Sequence, residues 1–167
     1  MARVLLGVTG GIAAYKACEL TRRLVRADHE VIPIVTAGAE RFVTRETFDA
    51  LANRAADESP YPHLAQADLL VVAPLTANTM AKFAHGLADD VLSEAALAHR
   101  GPLLVAPAMN DRMWAHPATQ ANAELLRERG VEFVGPVEGE LAEGGEGMGR
   151  MAEPEDIFAR CQELLGA

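Results

Sequence analysis

The chain has 167 residues, 50% of them hydrophobic and 23% charged, which suits one globular domain with its own core and excludes a disordered or fibrous chain. Fifteen Lys and Arg against 24 Asp and Glu leave a formal net charge of −9. So acidic a surface argues against nucleic acid or an anionic membrane as partner, and any anionic ligand needs a local site working against the overall field.

Taken in chain order, strand-like and helix-like segments alternate. Arg3 to Val8 (RVLLGV) is a short apolar run, ended by Gly10-Gly11, and reads as a strand. It has no cleavage-site pattern, so it is not expected to be a signal peptide. Ala13, Ala17, Leu20 and Leu24 recur at helical spacing opposite Arg22, Arg23 and Arg26. Val31 to Val35 reads as a second strand, which Pro33 places at an edge or at an irregularity. Ala37 to Leu51 suits one or two short helices, and Asn53 to Gln66, with Pro60 and Pro62, a loop.

Leu69 to Ala73 (LLVVA) has the continuous apolar character of a strand covered on both faces. A helix capped by Thr76 follows, with Met80, Phe83 and Leu87 inward and Gly86 near its end. Asp89 or Asp90 is placed to cap another helix, to about Ala98. Leu103 to Ala106 reads as a fourth strand, then one helix through Leu125-Leu126 to Gly130, then Val131 to Val134 as a fifth strand. Pro136 to Arg150, rich in Gly and Glu, reads as a long loop or flap that cannot form a core element. The last helix has Pro154 in its first turn and Ile157, Cys161 and Leu164 on one face. Cys18 and Cys161, the only cysteines, both fall on apolar helix faces and read as packing residues. Without CxxC or zinc spacing, no metal is expected, and a reduced, cytoplasmic setting fits best. No stretch approaches the ~20 apolar residues of a membrane span.

This alternation predicts an α/β domain over residues 1–167, with right-handed crossovers and a parallel sheet between two helical layers. Ligands of such sheets sit beyond the carboxyl ends of the strands. That rule selects Thr9-Gly10-Gly11, the Pro74 to Thr79 turn and Pro107 to Asn110, three turns expected to converge. The first, G-V-T-G-G-I-A, offers bare amides and the Thr9 hydroxyl at a helix start, which suits a phosphate, or else is simply a tight turn. Its glycines do not have the GxGxxG spacing, so a mononucleotide fits better than a dinucleotide. In A-P-L-T-A-N-T, Thr76 alone suffices as a cap, and Asn78 and Thr79 exceed that need. In P-A-M-N-D-R-M-W, Asn110 or Asp111 can cap a helix with Met109, Met113 and Trp114 as core; alternatively Asn110 donates its amide to a substrate carboxylate. His63 lies in the loop leading to the site; an imidazole with the ordinary pKa near ~6.5 is suited to act as a base at neutral pH.

Four strings, GVTGGIAAYKA, APLTANTMAKFAHGLADDVLS, PAMNDRMW and GEGMGRM, resemble the FMN-dependent cysteine decarboxylase family, most of all its branch acting on phosphopantothenoylcysteine in coenzyme A biosynthesis. They run from Gly7 to Met151, nearly the whole chain. The resemblance implies a Rossmann-like, flavodoxin-like three-layer fold, and a trimer or a dodecamer of trimers with its sites at subunit interfaces. It implies that Thr9, Gly10, Gly11, Ile12, Ala13, Thr36, Phe42, Pro74, Thr76, Asn78, Thr79 and Met109 hold FMN. His63 corresponds to the active-site base. Asn110 grips the substrate carboxylate, with Ala108 and Met113 alongside, and Gly147, Gly149, Arg150 and Met151 belong to a flap over a thiol carboxylate or a peptide with a carboxy-terminal cysteine. The implied chemistry is oxidation of the thiol-bearing carbon, so that a thioaldehyde accepts the charge left by departing carbon dioxide and an enethiolate results.

The sequence departs from the pattern at Leu75, where Ala is usual, in a connection from His63 to Asp68 shorter than the family's, and above all in the flap. The family flap reads G-x-L-A-C-G, whereas this chain has Gly139-Glu140-Leu141-Ala142-Glu143-Gly144. Glu143 therefore stands where the family's proton-donating cysteine stands. Either its carboxyl serves as the donor, or the reaction stops at the enethiol, or Glu143 is a solvated loop residue and the substrate has changed. A carboxylate beside an enethiolate is unfavourable, so oxidative decarboxylation without the second half-reaction is expected. The alternatives are a peptidyl-cysteine oxidative decarboxylase and, in another class, a non-catalytic FMN-binding regulatory subunit.

Overall fold

Burial on both faces turns the apolar runs into strands. The computed structural model describes residues 1–54 and 66–166. Strands β1 (Arg3–Val8), β2 (Glu30–Val35), β3 (Leu69–Leu75), β4 (Leu103–Pro107) and β5 (Glu132–Phe133) form a parallel sheet in the order β2-β1-β3-β4-β5. This is the doubly wound, flavodoxin-like order. β2, with Pro33, lies at an edge, where a missing amide donor is tolerated.

The helices are α1 (Ala14–Arg26), α2 (Arg45–Leu51), α3 (Ala77–His85), α4 (Val91–Ala98), α5 (Asp111–Ala115), α6 (Pro117–Glu128) and α7 (Pro154–Leu165). A single 3-10 turn at Ala39–Arg41 precedes α2. Because strand side chains alternate, Val4, Leu6, Val8, Leu69 and Val71 pack with α1, α2 and α7 on one face of the sheet. Leu5, Leu70 and Val72 pack with α3, α4 and α6 on the other. Local chemistry sets the helix ends as the sequence implies. Thr44 and Thr76 accept the amides of Thr47 and Thr79, Asp90 and Ser93 form a capping box, and Gly86 ends α3 in the left-handed conformation (φ 68°). Cys161 is fully buried, and desolvation pushes its thiol pKa up to about 12; Cys18 is half-buried and its thiol is also raised.

Several expectations are corrected. The helix foreseen between β4 and β5 is two, α5 and α6, because Pro117 disfavours a helical His116, whose ψ is 134°. His116 ends α5 and caps α6, its Nδ1 accepting the Ala118 amide at 3.0 Å. Leu87 follows the left-handed Gly86 and is exposed rather than inward, and Met113 is half-exposed rather than core. β5 is two residues long, not four. The glycine-rich segment before α7 is an antiparallel hairpin, β6 (Val137–Glu140) and β7 (Glu146–Arg150), outside the main sheet. Gly144 and Gly145, at φ 95° and 78°, let its turn close. His63 and most of the loop preceding β3 lie outside the described residues. No helix among the described residues is long and apolar enough to cross a membrane.

Candidate functional site

β1 and β3 are neighbours, yet the chain leaves β1 towards β2 and leaves β3 towards β4. Connections that diverge from adjacent parallel strands open a crevice at their carboxyl ends. Here a cavity of about 890 Å³ occupies that place. Gly10 to Ala13, Thr36 to Gly38, Thr76 to Thr79 and Ala108 to Asn110 line it, so the three turns selected from the sequence do converge. The hairpin closes the remaining side with Glu140 to Glu143 and Gly149 to Met151.

The turn after β1 is shaped for close approach. A Cβ on Gly10 would lie 2.9 Å from the Gly38 carbonyl carbon, so two backbone segments meet where no side chain fits. Ala13, at the cap position before α1, offers no side-chain cap, leaving the helix's amino-terminal dipole available to an anionic group. Thr9 holds this turn from behind. Its buried Oγ1 donates to Pro74 O at 2.7 Å and accepts the Thr76 amide at 3.0 Å, tying the end of β1 to the bulged end of β3. Thr9→Val keeps the shape but orphans the Thr76 amide. It is expected to cost about 1–3 kcal/mol, a fall in thermal midpoint of roughly 2–10 °C in a domain of this size, measurable by calorimetry. An unchanged midpoint would show that Thr9 does not hold the two strand ends together.

Of the two roles that its sequence left open, the structure shows Asn110 in the first, as a helix cap. Its Oδ1 accepts the amides of Arg112 at 2.8 Å and Met113 at 3.4 Å, capping α5. The same bonds point Nδ2 away from the helix, and it donates to Glu143 Oε1 on the hairpin turn. The hairpin is docked next to it by the backbone: the Met109 amide donates to Gly149 O at 3.0 Å. In A-P-L-T-A-N-T, Thr76 Oγ1 accepts the Thr79 amide and donates to Thr79 Oγ1 at 3.1 Å, so the two threonines serve the helix start. Asn78, beside them, lines the cavity.

The wall carries paired charges. Lys16 Nζ and an Arg150 guanidinium nitrogen lie 2.9 and 2.8 Å from the same Glu153 oxygen, two cations on one carboxylate. Hydrogen bonding from Lys16 is the main reason the Glu153 carboxyl sits below its ordinary range. At another point Lys82 pairs with Asp89 at 2.9 Å and Asp90 at 3.7 Å, and the Asp89 bond chiefly raises the ammonium. Lys16 and Arg150 bring two positive charges to this wall against the one negative charge of Glu153, and Asp90, Glu140 and Glu143 in the same lining carry negative charge.

Of the residues singled out from the sequence, Gly10, Gly11, Ile12, Ala13, Thr36, Thr76, Asn78, Thr79, Ala108, Met109, Asn110, Met113, Glu143, Gly149, Arg150 and Met151 line one cavity. Thr9 and Pro74 are buried behind its wall. Phe42 is half-exposed and not in the lining, and Gly147 faces Asp111 instead. Sequence reasoning missed Tyr15, Lys16 and Lys82 in the lining. Lys16, three residues past the glycine turn on the first helical turn, was the one with a readable signal.

The sequence matches the Flavoprotein family over residues 1–166. It is 46% identical over 172 residues to the coenzyme A biosynthesis bifunctional protein CoaBC of Mycobacterium tuberculosis, covering 98% of this chain and 41% of that protein. The chain thus spans less than half the length of that relative. Among solved structures, a PPC decarboxylase variant in complex with pantothenoylaminoethenethiol superimposes with a TM-score of 0.87 at 33% identity, covering 99% of each chain. The FMN-dependent cysteine decarboxylase SpaF gives 0.83 at 31% identity, covering 100% of this chain and 98% of that one. With matches that span both chains, a sheet in the flavodoxin-like order and the cavity at its switch point, the chain belongs to the Flavoprotein family, as a member of its FMN-dependent cysteine decarboxylase group.

Proposed function

We propose that the chain binds FMN in the crevice between β1 and β3 and decarboxylates a cysteine-derived carboxylate of the phosphopantothenoylcysteine type, stopping at the enethiol. The observation that carries this reading is Asn110, whose capping bonds fix its amide donor towards the cavity formed by the glycine and threonine turns. The crevice fits the cofactor: Gly10 and Gly38 pack the turn tightly while Gly11 beside them faces open space, the uncapped α1 start suits the phosphate, and Ile12 and Met109 offer apolar wall. FMN bound there supplies two-electron oxidation, so the substrate loses carbon dioxide and two hydrogens in all.

The chain's own residues bind and orient. Asn110 Nδ2 donates to the substrate carboxylate, the group that leaves. Lys16 and Arg150, held on Glu153, attract the anionic far end of the substrate. His63 is assigned as the base. A carboxyl side chain already engaged by Asn110 Nδ2, and not a thiol, stands at position 143, which supports a reaction ending at the enethiol rather than the saturated thiol. The half-exposed apolar side chains of Ile12, Tyr15 and Met113 in the crevice lining support a homo-oligomer, trimer or dodecamer, that completes the site.

Purified protein is expected to show a flavin absorbance band. Incubated with phosphopantothenoylcysteine, it is expected to yield a product lighter by carbon dioxide and two hydrogens, identified by mass spectrometry. Saturated 4′-phosphopantetheine as the main product would refute the truncated reaction, and bound flavin with no product would favour the non-catalytic alternative. A protein without flavin absorbance after reconstitution with FMN would end the cofactor assignment.

A further inference from the structure

The donor that the proposed substrate needs is already engaged by a carboxylate of the chain itself. Asn110 cannot turn its amide around, because its Oδ1 is held by two backbone amides and the reversed group would set NH2 against those donors and oxygen against Glu143. Glu143 is exposed on the Leu141–Gly145 turn of a hairpin that lies outside the main sheet, beside the buried Leu141. Its side chain is not packing, and its one hydrogen-bond partner among the described residues is Asn110 Nδ2. The geometry also couples the hairpin to this donor, since β7 is docked one residue away through the Met109–Gly149 bond.

We infer that Glu143 is an internal competitor for the substrate carboxylate. Its own carboxylate holds Asn110 Nδ2 when that position is otherwise empty, must be displaced for a carboxylate ligand to bind, and returns once carbon dioxide has left. The hairpin turn is thereby opened by the acid and closed over a product without the carboxylate, so Glu143 sets discrimination between the two. This rests on the reading that Asn110 receives the substrate carboxylate.

The test compares two ligands that differ only in that group and lack the oxidisable thiol, so that neither is consumed. These are N-(4′-phosphopantothenoyl)serine and its carboxylate-free counterpart, N-(4′-phosphopantothenoyl)ethanolamine. Their affinities for the FMN-loaded protein are measured by calorimetry in the parent, Glu143→Ala and Glu143→Gln. Glu143→Ala is expected to bind the serine acid about 10-fold more tightly, the scale of one hydrogen bond to a charged group, while the ethanolamine affinity stays within about twofold. Glu143→Gln, which keeps an acceptor but no charge, is expected to fall between parent and Ala. Hydrogen exchange across residues 137–150 in the ligand-free protein is expected to be faster in Glu143→Ala. Equal changes for both ligands, or unchanged exchange, would overturn the inference and leave the substrate reading standing. Failure of both ligands to bind any of the three proteins would overturn the substrate reading and this inference with it.

Discussion

Asn110→Asp is expected to leave the protein folded and to remove its activity on a carboxylate substrate. Asp is as good a helix cap as Asn, and its remaining oxygen can still accept the Arg112 and Met113 amides, so α5 stays in place. The other oxygen replaces a donor by a negative charge, facing both the incoming carboxylate and Glu143. Losing a hydrogen bond to a charged group costs about 1.5–3 kcal/mol, roughly a 10- to 150-fold loss in kcat/KM, and like-charge repulsion adds to it. The measurement is steady-state kinetics beside a thermal melt. Asn110→Ala provides the contrast: it loses the cap as well, about 1 kcal/mol, and lowers the midpoint while Asp does not. Activity within twofold of the parent in Asn110→Asp would remove Asn110 from the site.

Gly149→Ala is the second large effect, and it acts through the backbone. A Cβ there would lie 2.1 Å from the Met109 carbonyl oxygen, far inside van der Waals contact with an atom that has no flexible end to move. The same place carries the Met109–Gly149 hydrogen bond, so β7 must step back from the Pro107 to Asn110 turn and take the bond with it. Overpacking of this kind costs about 1–3 kcal/mol. More telling than the fall in midpoint is where the damage appears. Hydrogen exchange is expected to rise across the hairpin and at residues 107–113 while the β1–β3 core keeps its protection, and affinity for a ligand in the cavity is expected to fall at least tenfold. Wild-type ligand affinity in Gly149→Ala would mean that the hairpin is not part of the site.

The uneven legibility of the fold follows from where the determining forces act. Strands β1 and β3 could be read because both their faces are covered, so the requirement appears as an unbroken apolar run in one stretch of sequence. Caps at Thr76 and Asp90 could be read because the bonds they make span only three residues. The hairpin could not. Its largely exposed strands, VEGE and EGMGR, show no clean alternation, and what holds them is their pairing and a docking bond from Gly149 to Met109, far earlier in the chain. Leu87 illustrates the opposite error, since helical spacing placed it inward although the left-handed Gly86 had already ended the helix.

The acidic balance of the chain locates nothing, because net charge is a sum and a site is a placement. By itself the sequence determined the layered α/β class and the three turns at the strand ends. Both are written in local pattern. Only the tertiary structure decided that Asn110 is cap and donor at once, that Lys16 and Arg150 meet on Glu153, and that Glu143 reaches Asn110. Residues 33 and 137 positions apart in the chain share no local signal, and they meet because the sheet order and the hairpin bring distant segments to one crevice.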